Sequence, residues 1–236
     1  MPHLIRPFSD TLSRRSLTWH EGAGLSRVSS GADSLINLFL LLYTIERGSR
    51  RGYLTGRVKL QKLLFEAEKR MTKFGWVGLS YVFYRWKHGP WSPEAQWGLE
   101  WLARNGLVTE TEALIEATDD GHGLLDDARE LVESNQEIMK LIENVSDAHA
   151  LDTGRTMEDA VYGTPSPATG QLMDKVKPGE TVLEPLEKSK ASKLFRIDDS
   201  WIETLDILLD KSSRESLQQA MNDAQQGRIK PYKPLA

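Results

Sequence analysis

The sequence predicts a mainly α protein of the α+β kind, with a helical core, a small winged-helix-like β element and a C-terminal helical appendage. Apolar residues recur at helical spacing over most of the chain. Between Ser92 and Ala148, a capped helix, two short strands and a further helix follow one another. Residues 174–196 then lose apolar periodicity and turn basic and proline-containing, as linkers do. With 236 residues, 39% hydrophobic and 27% charged, the chain has room for one domain of about 150 residues and an appendage. The expected division is a disordered leader over 1–31, a helical domain over 32–173, a basic linker over 174–196 and a helical partner-binding segment over 197–236.

The leader is polar and contains glycine, with Arg6, Arg14, Arg15 and Arg27 among serines. Asp10 and Glu21 interrupt any transit-peptide pattern. A first helix should run from the Asp33 or Ser34 cap to about Arg47. Its apolar residues, from Leu35 and Ile36 to Leu42 and Ile45, surround the axis, which makes it central. Gly48 and Gly52 end it. The apolar run Leu35–Ile45, broken by Asn37 and Thr44, falls far short of the roughly 20 residues that span a bilayer, so no membrane partner is expected.

A second helix, about Arg57–Lys73, puts Leu60, Leu63, Leu64, Ala67 and Met71 on one arc and Lys59, Lys62, Glu66, Lys69, Arg70 and Lys73 on the other. Such a face can follow a phosphate backbone, but a solvated outer face with Glu66 paired to Arg70 is the commoner meaning. Leu79–Trp86 alternates as a strand does, with a helix on the spacing Leu79, Val82, Phe83, Trp86 as the alternative. His88-Gly89-Pro90 reads as a structural turn that sets Trp86 and Trp91 around a corner. Ser92-Pro93-Glu94 supplies an N-cap, a proline at the first helical position and a first-turn acid, and Asn105-Gly106 closes that helix. Its apolar residues form two stripes, Ala95, Leu99 and Leu102 on one side and Trp97 and Trp101 on another. A helix of this kind is either sandwiched in its own domain or half covered by a partner.

Leu107–Val108 and Ala113–Ala117 flank a Thr-Glu-Thr-Glu turn as a two-stranded wing. One long helix should follow, from Thr118 to about Ala148, with a continuous stripe from Leu124 to Val145. A short helix is expected within 154–170, packing back on the core. Beyond the linker, Asp198-Asp199-Ser200 caps a helix bearing Trp201, Ile202, Leu205, Leu208 and Leu209. Ser212-Ser213-Arg214-Glu215 has capping-box spacing and starts another, with Leu217, Ala220, Met221 and Ala224 on one stripe until Gly227.

Motifs for catalysis are missing. There is no cysteine, which fits a reducing cytosol and removes thiolate chemistry and Cys-ligated zinc. The five histidines show no metal-ligand spacing, and Asp119, Asp120 and His122 read as helix-start residues. No phosphate-binding glycine loop or nucleophile elbow occurs. No catalytic, cofactor-binding or metal-binding residue is therefore assigned, and no enzyme is expected. A net charge of −4 gives no general attraction to nucleic acid.

The densest stretch is Lys59–Val108, which holds five of the seven tryptophans. Its order, KLQKLLF, then FYRWKHGPWSPE, then LEWLARNGLV, resembles the Panacea domain family, also called the SocA-like antitoxin family, over residues 33 to about 165. The matching motif residues are Lys59, Gln61, Lys62, His88, Gly89 and Pro90. The resemblance implies a bacterial or phage antitoxin that neutralises a cognate toxin by direct contact, and it admits an ATP-dependent protease as a second partner. The ending LQQAMNDAQQGRIKPYKPLA is similar to the tails of Phd/YefM-type antitoxins, which wrap a toxin. The candidate partner-binding residues are Trp97, Trp101, Trp201, Leu205, Leu208, Leu217, Met221, Arg228 and Tyr232. They can face a toxin, a second copy of the chain or this chain's own core. The expected function is a cytoplasmic, non-catalytic neutraliser. The alternative is a winged-helix DNA-binding autoregulator, opposed by a groove-facing helix that offers Glu94, Glu100 and a single Arg104. A hydrolase or nuclease has only scattered acids in its favour.

Overall fold

Helix α1 (Gly31–Arg50) is the axis of the computed structural model, which describes residues 31–50 and 54–228. Phe39, Leu40, Leu41, Leu42 and Ile45 are wholly enclosed, on all sides of the helix, as its unbroken apolar surface requires. It begins at Gly31, slightly ahead of the expected cap. The expected leader, apart from Gly31, lies outside the described residues, as do Gly52 and Tyr232.

Against α1 pack α2 (Gly56–Phe74), α3 (Pro93–Arg104), α6 (Gln136–Ala148) and α8 (Asp199–Leu209). Gly75 caps α2 in the left-handed region, at φ 72°, and returns its N–H to the carbonyls of Met71 and Thr72. The chain then enters β1 (Trp76–Val77) and β2 (Phe83–Trp86). Only this last part of the expected 79–86 strand pairs. The alternation holds from Leu79 to Tyr84, with Leu79, Tyr81 and Phe83 buried and Val82 and Tyr84 half-buried, and ends at Arg85, which is half-buried like Tyr84.

Strand β2 runs antiparallel to β3 (Gly89–Trp91), Tyr84 facing Trp91 and Trp86 facing Gly89. The turn is therefore Lys87-His88, while Gly89 and Pro90 belong to the strand. Proline is tolerated there because β3 is an edge strand and needs no ladder donor on its outer side. The Ser92 hydroxyl accepts from the Ala95 N–H with Pro93 at the first turn, and α3 stops at Asn105 before Gly106 at φ 73°. The wing is present as β4 (Val108–Glu110) and β5 (Ile115–Ala117), antiparallel with Val108 opposite Ala117.

The long helix and the linker need correction. The single helix over 118–148 is three: α4 (Asp119–Asp127), α5 (Arg129–Ser134) and α6. Asn135 makes the second break. Its side-chain amide donates to the carbonyls of Leu131 (2.9 Å) and Arg196 (2.8 Å), and its oxygen accepts from the Arg196 N–H (2.6 Å). The apolar stripe passes through the breaks unchanged, since Ala128, Leu131, Ile138 and Ile142 are all buried.

Residues 174–196 are not a free linker. Strand β6 (Thr181–Leu183) joins β2 antiparallel, and β7 (Lys193–Leu194) joins β1 parallel. Val176, Val182, Leu183 and Phe195 are buried while Lys175, Lys177, Lys188 and Lys190 face solvent. The apolar anchors are real but too sparse to show a period. One apolar cluster extends from Ile36 to Leu209, so no domain boundary separates α8 from the rest. Helix α7 (Gly154–Tyr162) does pack back, along α2. The last described helix, α9 (Lys211–Gln225), is capped by Asp210 rather than Ser212, the carboxylate accepting from the Ser213 N–H at 2.8 Å.

Candidate functional site

The motif residues act on one another. The expected solvated basic face of α2 is wrong at its N-terminal end, where Lys59 and Lys62 are each 2% exposed. Both stems lie in the core and each ammonium meets a carbonyl, Lys59 Nζ donating to Ala150 O and Lys62 Nζ to Pro90 O, each at 2.9 Å. Between them Gln61 brackets the cap residue. Its Oε1 accepts from the Ser92 N–H at 2.9 Å and its Nε2 donates to the Ser92 carbonyl at 3.1 Å. Removal from water lowers the Lys59 pKa and brings that of Lys62 down to about 8, with the Glu158 carboxylate opposing the shift and Arg85 adding to it.

Gly89 completes the corner. Its φ of +86° is a left-handed conformation, and a Cβ there would lie 3.3 Å from Lys62 Cε. Around it is a small cleft of about 200 Å³ lined by Arg57, Lys62, Trp86, His88 and Trp91. The ionic groups of this cleft are already engaged. Arg57 Nη2 donates to Glu110 Oε2 at 2.8 Å, Lys62 to Pro90, and His88 Nδ1 lies 3.2 Å from Glu158 Oε2. These bonds tie the helix, the hairpin and the α3 cap to one another.

The candidate partner-binding residues divide. Leu205 is wholly enclosed, and Trp201, Leu208 and Trp101 are partly buried against the core. Leu205 is therefore unavailable to any partner, and the other three are largely committed. Trp97 stays 47% exposed. On α9 no residue is buried, Leu217 and Met221 being 46% and 49% exposed beside exposed Ala220 and Ala224. Arg228 is exposed and pairs with Asp223 at 2.7 Å.

What holds α9 is its first turn. Arg214 donates through Nη1 to the carbonyls of Leu208 (2.8 Å) and Leu209 (3.0 Å), and through Nη2 to that of Asn105 (2.7 Å). The Lys211 N–H adds a bond to Asn105 Oδ1 at 3.0 Å. Arg214 and Asn105 were not among the sequence candidates. The available signal was a cation just beyond the C-terminus of α8, where last-turn carbonyls lack partners.

On the winged-helix face, Arg104 Nε bonds back to the Glu100 carbonyl at 3.3 Å, and Glu112 at the wing tip is exposed. Among the described residues no group of three His, Asp or Glu side chains is placed to hold a metal ion, and no helix is long and apolar enough to cross a membrane. No family model, no curated protein and no solved structure matches the chain.

Proposed function

We propose that this protein is a cytosolic, non-catalytic binding module of the antitoxin type, which neutralises a toxin by laying the apolar face of α9 against it. One observation carries the reading: among the described residues, a 15-residue helix with an amphipathic pattern has none that is buried, and its Leu217 and Met221 stay 46% and 49% exposed. Isolated helices of about this length are marginal in water and normally depend on packing of their apolar face. Arg214 anchors one end and leaves the stripe of Leu217, Ala220, Met221 and Ala224 open, the arrangement of a helix that enters a partner's groove. The resemblance to the Panacea family supplies the nature of the partner.

The test is co-expression with the product of a small adjacent reading frame, comparing the full chain with one ending at Asp210. That cut removes α9 and spares Phe195, Leu205 and Leu209, which belong to the core. The full chain is expected to restore growth and to co-purify with the toxin, and the shortened chain to stay folded and do neither. Equal neutralisation by both chains would refute the assignment to α9. Specific binding of the full chain to its own promoter duplex with a Kd of about 10⁻⁸ M or tighter would favour the autoregulator reading. The acidic α3 and wing make that outcome unexpected.

A further inference from the structure

The C-terminal end of α2 departs from its buried N-terminal end and meets α6 across a groove of about 510 Å³. Arg70, Lys73 and Lys140 line it. Among the described residues none of these three is in an ion pair or a side-chain hydrogen bond, since Glu66 is taken by Lys69 at 3.1 Å. The one carboxylate of the lining, Glu137, is paired with Lys193. Beside the cations, Phe74 is 57% exposed and leans on Trp76 with ring centroids 5.2 Å apart. Lys193 Nζ lies 4.8 Å from the Trp76 ring centroid and so fixes that ring. Among the described residues, a cluster of three positive charges with no paired carboxylate thus stands beside the exposed Phe74 ring, on a chain of net charge −4.

Like charges gathered without a counter-charge repel one another, and an anion relieves them. An acidic peptide would satisfy the cations and leave the Phe74 plane unused. Duplex DNA would offer phosphates, but its bases stay in their own stack. A base with a free face and an adjoining phosphate uses both halves of the groove, the pairing on which single-strand and nucleotide sites are built. We infer that the α2–α6 groove binds a nucleoside phosphate, with the base stacked on Phe74 and the phosphate held by Arg70, Lys73 and Lys140. The ligand is either a free nucleotide or one unit of a single strand. The site is separate from the α9 face and independent of the proposed toxin.

Fluorescence anisotropy on the full chain tests it, with labelled ADP, a labelled oligouridylate of about ten nucleotides and a labelled polyglutamate peptide as probes. The oligonucleotide or ADP is expected to bind, and Phe74→Ala to weaken binding about 5- to 150-fold, the equivalent of one stacked base. Changing Arg70, Lys73 and Lys140 together to Gln should abolish binding at about 0.2 M salt and reduce the log–log salt slope for the strand by about 2. Comparable affinity for ADP and the strand identifies a free nucleotide as the ligand, and binding of the strand alone identifies nucleic acid. These four side chains line an open groove, so the variants should melt with the wild type. Phe74→Leu, which keeps an apolar contact to Trp76 and removes the ring, serves as the second stacking variant. The inference is overturned if neither nucleotide probe binds, if both Phe74 variants bind undiminished, or if polyglutamate binds tightest and is lost in the same charge variant.

Discussion

Helix α2 encloses Lys59, Gln61, Lys62 and Glu68, whereas α9 leaves Leu217, Ala220, Met221 and Ala224 in solvent. The two helices have comparable amphipathic patterns and opposite outcomes. In α2 each buried lysine finds a backbone carbonyl at the end of its stem, and Gln61 finds both polar groups of Ser92. The Glu68 carboxyl, fully buried with one oxygen unpaired, has its pKa raised well above the ordinary value by loss of water. In α9 no described residue is buried, and Leu217 and Met221 stay 46% and 49% exposed. Burial here follows the partners that the tertiary structure brings within reach, and hydropathy alone does not decide it.

The largest effect should come from the enclosed side of α2. Leu64→Ala removes a wholly buried side chain and should reduce unfolding free energy by about 2–5 kcal/mol, measured by urea denaturation. A loss below about 1 kcal/mol would mean that α2 packs less tightly than α1 requires.

Next is a pH effect at Lys62. Its folded pKa of about 8 lies below the ordinary 10.5. Between these values the folded amine is neutral while the unfolded one still binds a proton, so stability rises as pH rises through that window. The same contribution is lost as pH falls through the folded value. Unfolding of the wild type and of Lys62→Met should therefore diverge across this range, the wild type gaining relative to the variant. Parallel curves would show that Lys62 is not desolvated in the folded protein.

Gly89→Val should lower the melting temperature by several degrees, because a β-branched residue must adopt φ +86° and press on Lys62. An unchanged melting temperature would remove Gly89 from the corner. The smallest effect is predicted for α9. Leu217→Ala and Met221→Ala should alter the free chain's stability by no more than about 0.5 kcal/mol, and a loss comparable to that of Leu64→Ala would show that the stripe is covered by this chain or by a second copy.

Much of the frame was legible because its signals are local. The central α1, the Ser92 and Asp198 caps and the two-stranded wing each depend on residues within a few positions of one another. The rest depends on distant partners. The break at Asn135 requires Arg196, the pairing of β6 requires β2, and the inward turn of Lys62 requires the carbonyl of Pro90. No window of sequence contains both members of such a pair. The candidate site shows the same division. Leu217 and Met221 are where the helical spacing put them, but the pattern that found them also picked Leu205, whose stripe the core covers.

Amide hydrogen exchange followed along the full chain, alone and with the proposed toxin, tests the central claim most directly. In the free protein, amides of α9 beyond Arg214 should exchange with opening free energies near zero, while those of α1 and α2 approach the global value. Addition of toxin should slow α9 by a large factor and leave α2 unchanged. Protection of α9 equal to that of α2 in the free chain, or α9 amides that remain fast in the complex, would contradict it.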